Sequence, residues 1–282
     1  MPAHSLCDFS RLYYQSEDYY FGSLSPRHVR FNPYVNAYAT DDHVNDCTML
    51  LIQVGSNLVE ASRAAVWALI SNSAVPIRLA LHHDQISIWQ AALANSNFFY
   101  VHSTTAMILD LAHFRAFPAH EDLAQARSTD DLSDWAIPLG DAFGMSSEAR
   151  THYQARHQRA LAARKSLHHF TLAAQGMTVC SLSMSIADQL SRLNDIGTLV
   201  AYRGKGYATR LIRVALARAI SMGARWCFLE ATEHGLPLYR KIGFKALFDY
   251  QILLRGAGAS VEASPLAPQW QLSPTDDQST RR

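Results

Sequence analysis

The chain lacks most of the features that fix a function quickly. Its four cysteines (Cys7, Cys47, Cys180 and Cys227) are scattered with no Cys-x-x-Cys pair. Buried free thiols in a reducing compartment are therefore the preferred reading. Excess charge is also missing: 25 basic and 24 acidic residues leave a net charge of +1. No global field then argues for nucleic acid or an anionic membrane. No apolar run approaches membrane-spanning length, and Asp8 and Arg11 stand where a signal peptide needs an apolar stretch. A cytoplasmic protein is expected. Metal signatures are absent as well. His82-His83 and His168-His169 are adjacent pairs, and neighbours on a strand point to opposite faces, so no metal site is expected.

What is present is concentrated at residues 198–209. Arg203, Gly204, Lys205, Gly206 and Ala208 form a glycine-rich, basic turn between a strand-like run and an amphipathic helix. Outward-pointing backbone N–H groups, the positive end of a helix dipole and flanking cations make such a turn a pyrophosphate cradle. It is neither the Gly-x4-Gly-Lys-Ser/Thr nor the Gly-x-Gly-x-x-Gly motif. Upstream, residues 169–174, 178–185 and 190–198 read as strands. Downstream, Leu211, Ile212, Val214, Ala215, Leu216, Ala219 and Ile220 recur at helical spacing over 208–222, with Gly223 as the stop. A buried strand follows at 225–230, then a short helix ending Leu238-Tyr-Arg-Lys-Ile-Gly-Phe244, and a last strand at 246–254.

This order, with Arg-x-x-Gly-x-Ala at Arg203, Gly206 and Ala208 and Leu-Tyr-x-x-x-Gly-Phe from Leu238, resembles the GNAT N-acetyltransferase superfamily over about residues 131–255. Helices at 134–145 and 146–163, the second starting at Ser146, match the pair that opens a GNAT domain. A length of 282 residues admits two ordinary domains, and 49% hydrophobic content suffices for both cores. The first half repeats the pattern: strand 47–54, helix 58–70, strand 77–81, helix 86–93, strand 98–109. Its turn, Val54-Gly55-Ser56-Asn57, lacks the arginine and the paired glycines. The expected fold class is α/β with mixed sheets, as two tandem GNAT-like domains, each a mostly antiparallel mixed sheet flanked by helices. Residues 1–117 form the degenerate copy, 118–130 a linker, 131–255 the catalytic copy, and 256–282 a disordered tail in which Trp270 could dock.

The resemblance implies acetyl-CoA as co-substrate and an amine-bearing acceptor, small molecule or protein. Its pantetheine lies between the splayed strands at 190–198 and 225–230, near the main chain of Thr198, Leu199 and Val200. The pyrophosphate rests on Arg203, Gly204, Lys205, Gly206, Tyr207, Ala208 and Thr209. Tyr239 matches the family tyrosine that acts as general acid, and a phenol is a sensible donor to a thiolate. Thr232 and Gly235 stand where the family often has Asn and Ala against the cofactor. An alkylamine is mostly protonated at neutral pH, so a carboxylate often assists. Asp195 and Glu230 are the candidates, because Arg192 and Asn194, where some members hold the base, cannot serve. Asn194 and Asp195 are expected on opposite faces. Two alternatives stand beside an acetyltransferase: an acyl-CoA-binding sensor or scaffold without turnover, and an acyltransferase using another acyl donor.

Overall fold

The computed structural model describes residues 6–40, 49–56, 58–114, 126–129 and 131–256. The tail beyond Gly256, with Trp270, and Cys47 lie outside them. In chain order the elements are α1 (Leu6–Leu24), β1 (Arg27–Asn32), β2 (Val35–Thr40), β3 (Met49–Val54), α2 (Glu60–Asn72), β4 (Ile77–His82), α3 (Ile86–Ala94) and β5 (Phe99–Asp110). The second half continues with β6 (Ala126–Thr129), α4 (Leu132–Ala142), α5 (Ser147–Ala162), β7 (Leu167–Ala174), β8 (Met177–Ala187), β9 (Leu190–Thr198), α6 (Tyr207–Ser221), β10 (Trp226–Thr232), α7 (Leu236–Ile242) and β11 (Lys245–Arg255). Among the described residues, no helix is long and apolar enough to cross a membrane.

All the described strands join one sheet, in the order β1-β2-β3-β4-β11-β5-β10-β9-β8-β7-β6. Neighbours are antiparallel except β3–β4 and β9–β10, which are parallel and each bridged by a crossover helix, α2 or α6. The repeated strand–helix–strand–helix–strand order therefore exists in three dimensions. Its last members have exchanged places. β5, from the first half, pairs with β10, while β11, from the second half, pairs with β4. The two exchanged strands run antiparallel to each other, from Lys245↔Ile108 to Leu254↔Phe99.

Alternation along the strands separates two faces. On one, the buried stripe of α6 (Leu211, Ile212, Ala215, Leu216, Ala219) packs with Tyr239 of α7 on Met107, Leu182, Leu193 and Leu229. There too Val66 and Ile70 of α2 and Trp89 of α3 cover Ile52, Leu79 and Leu81. On the other, Tyr13 and Tyr14 of α1 pack on Ala80, Ala106, Phe228, Phe248 and Tyr250, and Trp135 of α4 donates its indole N–H to Leu182 O at 3.0 Å. The Ser146 hydroxyl accepts from Ala149 N at 3.1 Å and starts α5.

Two elements differ from expectation. Residues 126–129, within the stretch read as a linker, form the edge strand β6 against β7. The expected domain 1–117 carried no reading of its first 46 residues, yet they supply α1, β1 and β2. The buried side of α1 holds Tyr13, Ser16, Glu17, Tyr20 and Leu24, spaced as a helix face. Its polar membership hides that face from a hydrophobicity pattern.

The strand exchange yields a prediction. A fragment of residues 131–256 lacks β5, so β10 and β11 lose the strand that joins them. It is expected to show no cooperative unfolding by circular dichroism and to elute as aggregate. Co-expression with residues 1–117 should restore a single sharp transition. A monomeric, cooperatively melting fragment would contradict this.

Candidate functional site

The site begins where β9 leaves β10. The two strands pair only at Trp226↔Leu190, Cys227↔Ser191 and Phe228↔Arg192. Beyond Arg192, β9 bulges against β8: its register slips between Ser183↔Asn194 and Ser181↔Gly197, and Asp195 takes a left-handed φ of 55°. An extra residue bends the bulged strand and re-aims its side chains, so β9 swings off its parallel neighbour and a wedge opens. The equivalent pair in the first half stays closed. β3 and β4 pair without a break from Leu50↔Ile77 to Val54↔Leu81. At the end of β3, a Cβ on Gly55 would lie 2.7 Å from the Tyr14 ring and from Tyr34 O, and Ser56 N donates to the Tyr14 hydroxyl at 3.2 Å. That turn is filled.

At the open end, β9 runs through a single 3-10 turn (Val200–Tyr202) into Arg203, Gly204, Lys205 and Gly206, and α6 starts at Tyr207. Gly204 and Gly206 have φ of 76° and 80°, a conformation costly for residues with a Cβ. A Cβ built on either meets nothing within 4 Å, so main chain is presented to open space. No side chain caps the first turn of α6, which leaves its N–H groups and positive dipole end available to an anion. Arg203 is anchored through Nε to Thr198 O (3.3 Å), and Lys205 through Nζ to Ala201 O (3.2 Å). Residues 203–209 therefore fit a diphosphate.

Two of the expected main-chain contacts need correcting. Leu199 N already donates to Val179 O at 2.9 Å, and Val200 N donates to Asp141 of α4 at 2.7 Å. Those amides hold the end of β9 in place and are not available to pair with a neighbour. Thr198 donates its hydroxyl to Cys180 Sγ at 3.3 Å. A concavity of about 510 Å³ opens beside Leu199, lined by Ile137, Gly140, Asp141, Met145 and Arg150. A second groove, about 590 Å³, lies elsewhere, between α1 and the β1 and β8 strands, and touches no cradle residue.

Tyr239 lies on α7, buried, with its ring edge-on to Phe244 and its phenol near Cys180. Burial raises its pKa well above the ordinary phenol value, so it stays protonated at neutral pH and is able to donate a proton. Among the described residues its hydroxyl has no hydrogen-bond partner. Gly235 is required by proximity, since a Cβ there would come within 2.9 Å of the Tyr239 ring. Thr232 Oγ1 accepts from Gly235 N at 3.3 Å and steadies the start of α7. Both departures from the usual Asn and Ala thus bear on where Tyr239 sits.

The two carboxylates have different surroundings. Asp195 accepts from Tyr20 (2.6 Å), Tyr153 (2.6 Å) and Ser183, with His157 Nε2 at 3.7 Å. His157 in turn lies 2.8 Å from His169, and burial holds both imidazoles neutral, down to about 3. Asn194 Oδ1 accepts from Arg192 Nε at 3.2 Å on that same face. The expected alternation of Asn194 and Asp195 therefore fails, because the bulge adds a residue between them and the regular ladder. Glu230 accepts from Thr104 Oγ1 at 2.7 Å, with Arg78 at 3.6 Å and Arg192 at 3.8 Å.

Sequence reasoning missed Glu17. Its carboxylate takes the hydroxyls of Tyr13 (3.2 Å) and Tyr250 (3.1 Å) and stands 3.5 Å from Arg192 Nη2, whose guanidinium stacks 4.6 Å over Tyr13. One arginine nitrogen thus lies between two carboxylates, Glu17 and Glu230. Burial pushes the Glu17 carboxyl up to about 7, against the pull of Arg192. A polar residue in the middle of an unread helix was the available signal. The histidine pair at 82–83 also departs from expectation. His83 starts a 3-10 turn instead of continuing β4, so the rings stack at 4.3 Å, and with Asp84 they bring three ligand atoms within 4.8 Å.

With the geometry in view, comparison with known proteins is informative. Residues 166–246 match the sequence model of the acetyltransferase (GNAT) domain. No curated protein matches the chain. A GCN5-related N-acetyltransferase from Kribbella flavida superposes with a TM-score of 0.58 over 88% of this chain and 96% of its own, at 13% identity. One from Sphaerobacter thermophilus gives 0.55 over 81% and 78%, also at 13%. A tandem GNAT protein from the clavulanic acid biosynthesis pathway gives 0.56 over 84% and 85%, at 14%. At such identities the likeness speaks to fold. Residues 166–246 thus match a GNAT acetyltransferase domain, and over most of its length the chain shares the fold of these GNAT structures.

The Glu17 carboxyl supplies a test of this buried network. Its folded pKa of about 7 exceeds the ordinary 4.5. The stability gained from the tighter proton is therefore complete below about 4.5 and is lost as pH rises through about 7. Glu17→Gln should remove that loss. The melting temperature of wild type minus variant should fall steadily from roughly pH 5 to pH 8, with the buried histidines cancelling because both proteins keep them. A difference independent of pH would show that Glu17 titrates normally.

Proposed function

We propose that the protein is an N-acetyltransferase that moves acetyl from acetyl-CoA to an amine. The observation that supports this best is the wedge between β9 and β10, which ends beside the open glycine cradle. When bound, acetyl-CoA supplies an activated acyl carbon and a thiolate leaving group. Arg203, Gly204, Lys205, Gly206, Tyr207, Ala208 and Thr209 hold the diphosphate through main-chain N–H groups and flanking cations. Thr198, Leu199 and Val200 shape the pantetheine channel, and Thr232 and Gly235 position α7. In the transfer, the amine nitrogen bonds to the acyl carbon as the C–S bond breaks. The nitrogen gives up a proton, and Tyr239 donates one to the departing sulfur.

Glu230 takes the amine proton. Its carboxylate sits on β10 at the wedge and is partly exposed. Asp195, the other candidate base, already accepts from three hydroxyls. Its part is to fix the bulge that opens the wedge. The first half, with β3 and β4 closed and Tyr14 filling the turn at Gly55, binds no coenzyme and serves as a wall for the acceptor side. A cytoplasmic setting agrees with the buried free thiols of Cys180 and Cys227. A sensor without turnover would have no use for a protonated tyrosine facing Cys180, which favours the enzyme. Another acyl donor would use the same cradle.

Tyr239→Phe is expected to lower kcat by about a hundredfold to ten-thousandfold, the usual range for loss of a general acid. The affinity for CoA by calorimetry should be unchanged. Equal turnover in the variant would remove Tyr239 from the chemistry. Failure of wild type to bind CoA at millimolar concentration would remove the reading altogether.

A further inference from the structure

Two buried donors at the edge of the wedge have no partner. Arg192, 1% exposed, is fixed on three sides: Nη2 toward the Tyr13 hydroxyl (3.1 Å), Glu17 and Glu230, Nε on Asn194 Oδ1, and the plane over the Tyr13 ring. Its remaining nitrogen, Nη1, is buried and unpaired. The Arg192 Nε bond also fixes the Asn194 carboxamide, since a donor must meet the oxygen. Asn194 Nδ2 is then left buried and unpaired as well. An unsatisfied buried donor costs about 1–3 kcal/mol, more when charged. Two of them side by side call for a ligand oxygen.

Their position indicates which ligand. Arg192 makes the last pair with β10, opposite Phe228, and Asn194 follows on the same face just as β9 departs. Glu230 stands two residues beyond Phe228 on the opposite lip, on that face too. One lip therefore offers a guanidinium and a carboxamide N–H, and the other a carboxylate. The charged Nη1 and the Asn194 Nδ2 offer one N–H donor to each of the two oxygens of a carboxylate. The carboxylate of Glu230 matches an ammonium group or its amine. Arg192 Nη2 is only 3.8 Å from Glu230, so the two complementary groups on the ligand must be close together.

We propose that the acceptor is an amino-acid-like molecule, its carboxylate held by Arg192 Nη1 and Asn194 Nδ2 and its adjacent amine turned to Glu230. This rests on reading the wedge as an acetyltransferase site and specifies the substrate class for it. A simple alkylamine or polyamine leaves both donors unpaired and binds more weakly.

The test uses the full chain saturated with CoA. Each of the twenty protein amino acids is titrated by calorimetry beside the amine that lacks its carboxylate. At least one amino acid should bind about tenfold or more tightly than its partner amine, the size expected for a charge-assisted pair. Asn194→Leu should reduce that preference toward unity while the affinity for CoA stays at the wild-type value. Arg192→Lys, scored the same way if it melts like wild type, should also reduce it, because a lone ammonium cannot both keep the Tyr13 and Asn194 contacts and present a separate N–H to the ligand. The proposal is overturned if no amino acid binds, if amine and amino acid bind alike, or if Asn194→Leu leaves the preference intact. Normal CoA binding with any of these results sinks the substrate class alone. Absent CoA binding sinks the acetyltransferase reading on which it rests.

Discussion

The pairing of β5 with β11 is the constraint on which this structure depends. Each is the final strand of one repeat, and each is hydrogen-bonded on its outer side to the other repeat. Neither half can complete its sheet without the other half's strand. The exchange is also what brings α1, at the start of the chain, above β9 and β10, near the end. Tyr13 rests on Phe228 and Phe248, and from there Glu17 reaches Arg192.

A second effect follows from one residue in β9. The bulge at Asp195 separates β9 from β10, and a left-handed φ on a non-glycine residue costs free energy that the surroundings must offset. The three hydroxyls of Tyr20, Tyr153 and Ser183 converge on the Asp195 carboxylate and supply that compensation. Two come from helices α1 and α5, one from the neighbouring strand β8. The bulge is thus held by both halves of the protein. In the first repeat no bulge interrupts β3, the strands stay paired, and aromatic rings occupy the turn. Similar topology yields an open wedge in one copy and a closed one in the other.

The sequence carried the second half nearly element by element. Hydrophobic spacing located α6, Gly223 ended it, and Leu238-Tyr-x-x-x-Gly-Phe marked α7 with Tyr239 on its buried side. It also located most of the first half from β3 onward. It did not locate α1, whose buried face is built from tyrosines, a serine and a glutamate, nor β6, four residues long. The cradle was legible for a physical reason: backbone conformation at Gly204 and Gly206 depends on residues next to them. The polar cluster on the other side of the wedge was not. Arg192 and Asn194 stand where a base was sought, and the bulge that gives Asn194 and Asp195 a common face leaves no mark in the alternation of residue types.

What the sequence determined by itself is local: the order of strands and helices, the glycine turn that leaves N–H groups bare, and the tyrosine at the end of a short helix. These depend on periodicity and on glycine, and contacts within a few residues enforce them. Tertiary structure alone decided which last strand lies beside which, and which side chains meet at the wedge. Tyr20 reaches Asp195 across 175 residues, and Tyr13 reaches Arg192 across 179. Such pairs are selected by burial and by the need to satisfy polar groups far apart in the chain. A charge or a donor acquires its role only when the fold fixes what it faces.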